Sequence, residues 1–226
     1  MDPSIFVILF IAGAAAIIIA GLIAAGRRRK ALREWATAHG LTFDARKDSS
    51  VDNFFGQFDC LNRGDKRYGC NFIMGMWNGR QFWGFDYHYT TGFGKNRSTH
   101  NFSAVVLAAD VPLKPLLIRP EHFFDRVGEF FGFDDIDFES AEFSKAFYVR
   151  SPDRRWAYDV IHARTMEFLL ASPRRSIQFD FGRVIVWDDS TFKPEEFGAA
   201  AALAEGLLER LPEYVVRQQT GAAGRT

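Results

Sequence analysis

The chain has 226 residues, 47% of them hydrophobic and 24 of them phenylalanine, which excludes disorder for most of its length. Its 28 basic and 28 acidic residues cancel, so no broad positive field favours a nucleic-acid partner. Cys60 and Cys70 stand alone, with no second pair to build a disulfide framework or a zinc site.

The first predicted element is a transmembrane helix over residues 5–26, after a short external N-terminus of residues 1–4. The run IFVILFIAGAAAIIIAGLIAA carries no charge, and as a helix it spans about 32 Å, close to the ~30 Å hydrocarbon core of a bilayer. Met1-Asp2-Pro3-Ser4 lacks the basic n-region of a cleaved signal peptide, so the pattern predicts an uncleaved signal-anchor. Arg27, Arg28, Arg29, Lys30 and Arg33 follow the span and predict a cytosolic C-terminal part by the positive-inside rule, where both thiols would stay reduced. These cations either set topology alone or also hold anionic lipid headgroups. Ala16, Ala20 and Ala24 fall four apart, as do Gly21 and Ala25, a spacing that would permit a homodimer through the membrane helix.

Residues 27–40 are predicted as a basic juxtamembrane helix: ALREWATAH contains good helix formers, and Gly40 is placed to take the left-handed conformation that ends it. Residues 41–216 are expected to form the cytosolic domain, beginning with a short strand at 41–43. Asn78-Gly79 predicts a type I′ hairpin joining strands 70–77 and 80–89. A two-residue turn there pairs Met76 with Gln81, Met74 with Trp83, Phe72 with Phe85 and Cys70 with Tyr87, and that face is read as core. Gly75, Gly84, Asn71, Asp86 and His88, with Phe82 and Trp77, would lie on a partly covered face. A glycine-rich loop at 91–98 leads to a third strand at 101–108. Pro112 and Pro115 allow a break between two lobes near 110–120.

Beyond the prolines, the pattern predicts a helix over 121–131 and a strand over 143–149. Ser151-Pro152-Asp153 opens a helix running to about Leu170, with the serine hydroxyl as cap. A hairpin of 177–181 and 184–187 would turn at Gly182-Arg183 in a type II′ turn. A last helix over 195–211 would pack Leu203, Leu207 and Leu211 inward, and 217–226 would be a disordered tail. Hairpins interspersed with helices give an α+β class: a transmembrane helix followed by an antiparallel-sheet domain with packed helices.

The stretches FDYHYTTGFGKNRSTHNFSAVVL, PLLIRPEHFFDRVGEFFGFDDIDFES and FSKAFYVRSPDRRWAYDVIHARTMEFLL resemble those of an uncharacterised bacterial family of single-span membrane proteins with a cytosolic domain of unknown function. The resemblance covers most of residues 31–190. It implies the inner (cytoplasmic) membrane of a bacterium, N-terminus outside, and brings no activity, cofactor or catalytic residue with it.

Three constellations invite a chemical reading. Gly92-Phe93-Gly94-Lys95-Asn96-Arg97-Ser98-Thr99 fails as a phosphate loop: Tyr89 stands where the first glycine belongs and Asn96 where the hydroxyl belongs. Lys95 and Arg97 with the loop amides remain a candidate contact for an anion such as a lipid phosphate, against a plain hairpin loop. Asp86 and His88 share a strand face, and His100 could approach from the neighbouring strand, as a metal or acid–base site or as ordinary polar decoration. Asp135, Asp137 and Glu139 alternate with Ile136 and Phe138 and read as a solvated strand face, because a calcium loop would need glycine at Ser140 and glutamate at Ala146. The function expected is a non-catalytic, membrane-anchored interaction module with membrane lipids and a protein as partners, without metal or cofactor. The alternatives are an enzyme using Asp86, His88 and His100, and a lipid-binding protein whose Phe-rich interior is a pocket.

Overall fold

The apolar run and the basic cluster form one unbroken helix, α1 (Pro3–Ala38). In the computed structural model the described residues are 3–121 and 136–220. From Leu9 to Ala38 this helix contains a stretch long and apolar enough to cross a membrane, none of it buried against the rest of the chain. Packing begins at Arg28 and continues through Leu32, Trp35 and Ala36, one face at helical spacing, with Leu32 and Ala36 fully buried. The end is the expected one. Gly40 takes φ +68°, its N–H donates to Thr37 O (3.1 Å), and Leu41 N–H donates to Ala36 O (2.8 Å), a Schellman closure.

The chain then builds an eight-stranded antiparallel sheet among the described residues. Its order is β1 (Thr42–Asp44), β2 (Asp65–Trp77), β3 (Arg80–Thr91), β4 (Ser98–Ala108), β8 (Arg183–Trp187), β7 (Ser176–Asp180), β5 (Leu116–Pro120) and β6 (Phe147–Arg150). Because β4 pairs with β8 and β5 with β7, the segments before and after 110–120 share one sheet.

Asn78 (φ +47°) and Gly79 (φ +82°) form the predicted type I′ turn. The predicted register holds as far as Ile73↔Gly84 and then slips by one, so Cys70 faces Asp86 instead of Tyr87. A bulge at Asn71, in the left-handed region at φ +54°, absorbs the extra residue and displaces the Phe72–Phe85 pairing as well.

Both sheet faces are covered, which corrects the expectation of one core face. Against Ile73, Phe82, Val105 and Leu107 lie α1 and α6 (Pro194–Glu209). Gly84, expected on a half-covered face, is where the Phe197 ring sits: a Cβ there would lie 2.8 Å from Phe197 Cδ1. The other face buries Phe85, Tyr87 and Trp187 with α2 (Val51–Phe55) and a 3-10 turn (Asp59–Asn62), whereas Met76, expected inside, is 56% exposed.

Other boundaries shift as well. Residues 143–146 of the predicted strand 143–149 belong instead to α3 (Ala141–Ala146), because Ser140 Oγ accepts from Phe143 N–H (3.2 Å) and caps it; β6 follows. The helix predicted to Leu170 is two, α4 (Arg154–Val160) and α5 (Ala163–Ala171), broken at Ile161-His162. Its cap is the Asp153 carboxylate, accepting from Trp156 N–H (3.0 Å), while Ser151 Oγ donates to Pro115 O (2.7 Å). The second hairpin turns one residue early, at Phe181 (φ +43°) and Gly182 (φ +72°), a type I′ instead of a type II′ turn. Helix α7 (Glu213–Gln219) carries order past the expected tail start at Arg217. Residues 136–140 form no strand, so the alternating face of Asp137 and Glu139 does not arise; Asp135 and nearly all of the predicted 121–131 helix lie outside the described residues.

Candidate functional site

Arg28, in the juxtamembrane run, turns into the domain and hydrogen-bonds there. Its Nε donates to Asp86 Oδ2 (2.9 Å), its Nη2 to Asp86 Oδ1 (2.6 Å) and its Nη1 to Phe192 O (2.7 Å). The fork matches a carboxylate edge, a geometry arginine offers and lysine does not. Asp86 also accepts from Asn71 Nδ2 (2.8 Å), delivered by the β2 bulge, and from Ser103 Oγ (2.5 Å) across the β3–β4 ladder. Four donors fill the acceptor sites of the carboxylate. Ser103 Oγ in turn accepts from Phe192 N–H (2.9 Å), so the loop before α6 joins the same network. The Asp86 side chain is 9% exposed and that of Arg28 26%.

The remaining cations stay outside. Arg27 and Arg29 are exposed, Lys30 lies 3.9 Å from Glu34, and Arg33 rests over the Phe43 ring at 5.3 Å. Arg28 thus departs from the membrane-surface role read in the sequence, and the signal that could have found it is the helical stripe Arg28-Leu32-Trp35-Ala36.

The polar trio does not assemble. Asp86 and His88 share a face as expected, but Asp86 is occupied by Arg28, and His88 stacks on Tyr68 (4.5 Å) with Nδ1 2.9 Å from Asn101 Oδ1. His100 lies directly opposite Tyr89 in the β3–β4 ladder, and side chains alternate along a strand, so it points to the other face. There it stacks on Tyr89 (4.6 Å) and sits 2.8 Å from Thr91 Oγ1. Among the described residues no three His, Cys, Asp or Glu converge as metal ligands.

Two features mark the sheet end toward which α1 leads back to its apolar run. Along β3 from Phe82 to Asp86 the contacts pass from Trp77, which stacks on Trp35, to Arg28, so β3 runs antiparallel to α1. Five residues beyond Asp86, about 16 Å at ~3.3 Å per residue, β3 ends at Thr91. The β3–β4 loop there carries Phe93, 82% exposed, with Lys95 and Arg97 exposed beside it. Neither cation has an ion-pair partner within 4 Å among the described residues.

On the face away from α1, a groove of about 480 Å³ runs between β1, α2 and the 46–48 loop. Phe55, Phe72, Met74 and Trp83 line it, and Arg183 lies over the rings of Phe55 (5.4 Å) and Trp83 (5.6 Å). Asp44 is bonded by Arg46 and Asp48 by Ser50, contacts that hold both carboxyls below their usual range. Residues 44–69 carry no regular apolar alternation, so the sequence offered no sign of this groove.

No family model and no curated protein matches the chain. Among solved structures, that of the mycobacterial trehalose monomycolate transport factor A, TtfA, superposes with a TM-score of 0.59 at 15% identity, over 83% of this chain and 96% of that one. The two share a fold. The match spans most of the α+β domain, so this arrangement of sheet and helices recurs in TtfA; at that identity it carries no site across.

Proposed function

We propose that the chain is a non-catalytic interaction module held at the cytosolic face of a bacterial inner membrane, with its N-terminus outside. The observation that carries the reading is the Arg28–Asp86 clamp: it fastens the third residue after the apolar run to the interior strand β3, which gives the domain a set attitude to the bilayer. A domain merely tethered would need no such contact. The exposed Arg27, Arg29 and Lys30 support the orientation through the positive-inside rule, and Phe93, Lys95 and Arg97 extend the membrane-side surface.

The structural neighbour, TtfA, is a trehalose monomycolate transport factor. For the present chain we take from it a role in membrane-linked transport, with a protein partner engaged on the cytosolic side. The small-residue face of Ala16, Ala20 and Ala24 supports a second copy of α1 as a further partner. A lipid-handling role is the second reading, favoured by the groove under Arg183.

The orientation is tested by a tag after Thr226 probed with a membrane-impermeant reagent on intact cells. Protection until the cells are lysed is expected; labelling of intact cells would overturn the reading.

A further inference from the structure

We propose that the groove between β1, α2 and the 46–48 loop binds one acyl chain of an anionic single-chain lipid drawn from the bilayer, with Arg183 facing its headgroup. The inference deepens the membrane-anchored reading above and rests on it. A groove of about 480 Å³ falls in the range of small-molecule sites. Its lining is aromatic and aliphatic: Phe55, Phe72, Met74 and Trp83, with Phe54 67% exposed at the lip. Such a surface left in water costs free energy that an alkyl chain recovers.

The charges around the groove select the head. Asp44 and Asp48 are each satisfied locally, by Arg46 and by Ser50. Arg183 donates to Phe54 O (3.1 Å) and has no carboxylate within 4 Å among the described residues, so it is a cation fixed above an apolar floor. An apolar trough with a carboxylate-free guanidinium is complementary to an anionic amphiphile and not to a neutral one.

The groove is also reachable from the bilayer. Arg183 pairs with Ala108 at the sheet end far from the membrane, whereas Lys47 and Asp48 lie beside Tyr68 and Gly69, near the level of Tyr87 and His88 and so past Asp86 toward the membrane. A chain could enter by the 46–48 loop and run along β2 until its head meets Arg183.

The test uses the full chain in phosphatidylcholine nanodiscs with palmitic acid bearing a mid-chain diazirine, irradiated and mapped by mass spectrometry. Label is expected on Phe72, Met74 or Trp83, displaced by unlabelled palmitate. It should fall about tenfold with the diazirine-bearing alcohol, which lacks the charge, a loss fitting one charge-assisted contact. Arg183→Glu should give the same fall, and the alcohol comparison needs no variant that might misfold. Label confined to residues 5–26 would overturn the groove assignment while leaving the anchor intact, and groove label indifferent to head charge would overturn it too. Absence of label from 5–26 would instead overturn the anchored reading itself.

Discussion

Arg28 and Asp86 show how one pair can decide what a basic cluster does. The two partners are unequally buried, 26% and 9% exposed, so their removal has unequal consequences. Arg28→Ala leaves a buried carboxylate with only Asn71 and Ser103 as donors and should destabilise the protein by about 3–5 kcal/mol. Asp86→Ala leaves an arginine that can swing into water, and the cost should be nearer 2–3 kcal/mol. Equilibrium unfolding of the full chain in mild detergent checks this, with the double alanine variant falling short of the sum by at least ~1.5 kcal/mol. Arg28→Lys should not rescue, since it loses the fork. The thiols make a second test at this scale. Burial pushes Cys60 up to about 12 and also raises half-buried Cys70. At pH 7.5 a maleimide should therefore leave Cys60 unmodified in the folded chain and react only slowly, if anywhere, at Cys70, with both thiols labelled after unfolding. Fast labelling of Cys60 would contradict the buried 3-10 turn.

At the level of elements, two glycines separate backbone demand from packing demand. Gly40 has φ +68° with nothing within 4 Å of a would-be Cβ, so Gly40→Ala should cost only the left-handed penalty, about 1 kcal/mol. Gly84 has ordinary backbone but faces Phe197, and Gly84→Ala should cost about 1–3 kcal/mol by pushing α6 off the sheet. Phe197→Leu in the Gly84→Ala background should recover part of that loss in thermal unfolding, and should do nothing for Gly40→Ala. The same contrast explains what could be read from sequence. Local chemistry was legible: Gly40 as a terminator, Asn78-Gly79 as a turn, the alternation of β3 and the strand of β4. What depended on three-dimensional neighbours was not. The Asn71 bulge has no sequence mark of its own, yet it shifts the register that brings Cys70 opposite Asp86 and aims an amide at that carboxylate. The split of one predicted helix into α4 and α5, and the second helix-covered face, likewise follow from packing partners distant in sequence. Of the candidate site, Asp86 and His88 on one face were legible, but His100 went astray because adjacent positions in a ladder do not tell which face a strand presents.

For the molecule as a whole, two exposed phenylalanines at opposite ends of the sheet convert the proposed attitude into a measurement. Phe93 (82% exposed) tips the β3–β4 loop, and Phe181 (79% exposed) tips the β7–β8 turn. β3 runs past the Arg28–Asp86 contact toward the apolar half of α1, whereas the β7–β8 turn lies beyond Arg183↔Ala108, on the far side. A domain swinging freely on its anchor would bring both tips to the lipid equally often; a clamped one would present Phe93 alone. In a Cys70→Ser background, Phe93→Cys and Phe181→Cys can each carry a nitrobenzoxadiazole label in vesicles containing anionic lipid. The Phe93 label should shift to the blue and be quenched by brominated lipid, while the Phe181 label should do neither. Asp86→Ala, by releasing the clamp, should bring the two labels toward the same behaviour. Equal response of both tips in the parent chain would mean that the Arg28–Asp86 contact does not set the domain against the membrane. If Lys95 and Arg97 meet headgroups as proposed, raising salt should weaken the Phe93 contact more than it weakens the shielded clamp.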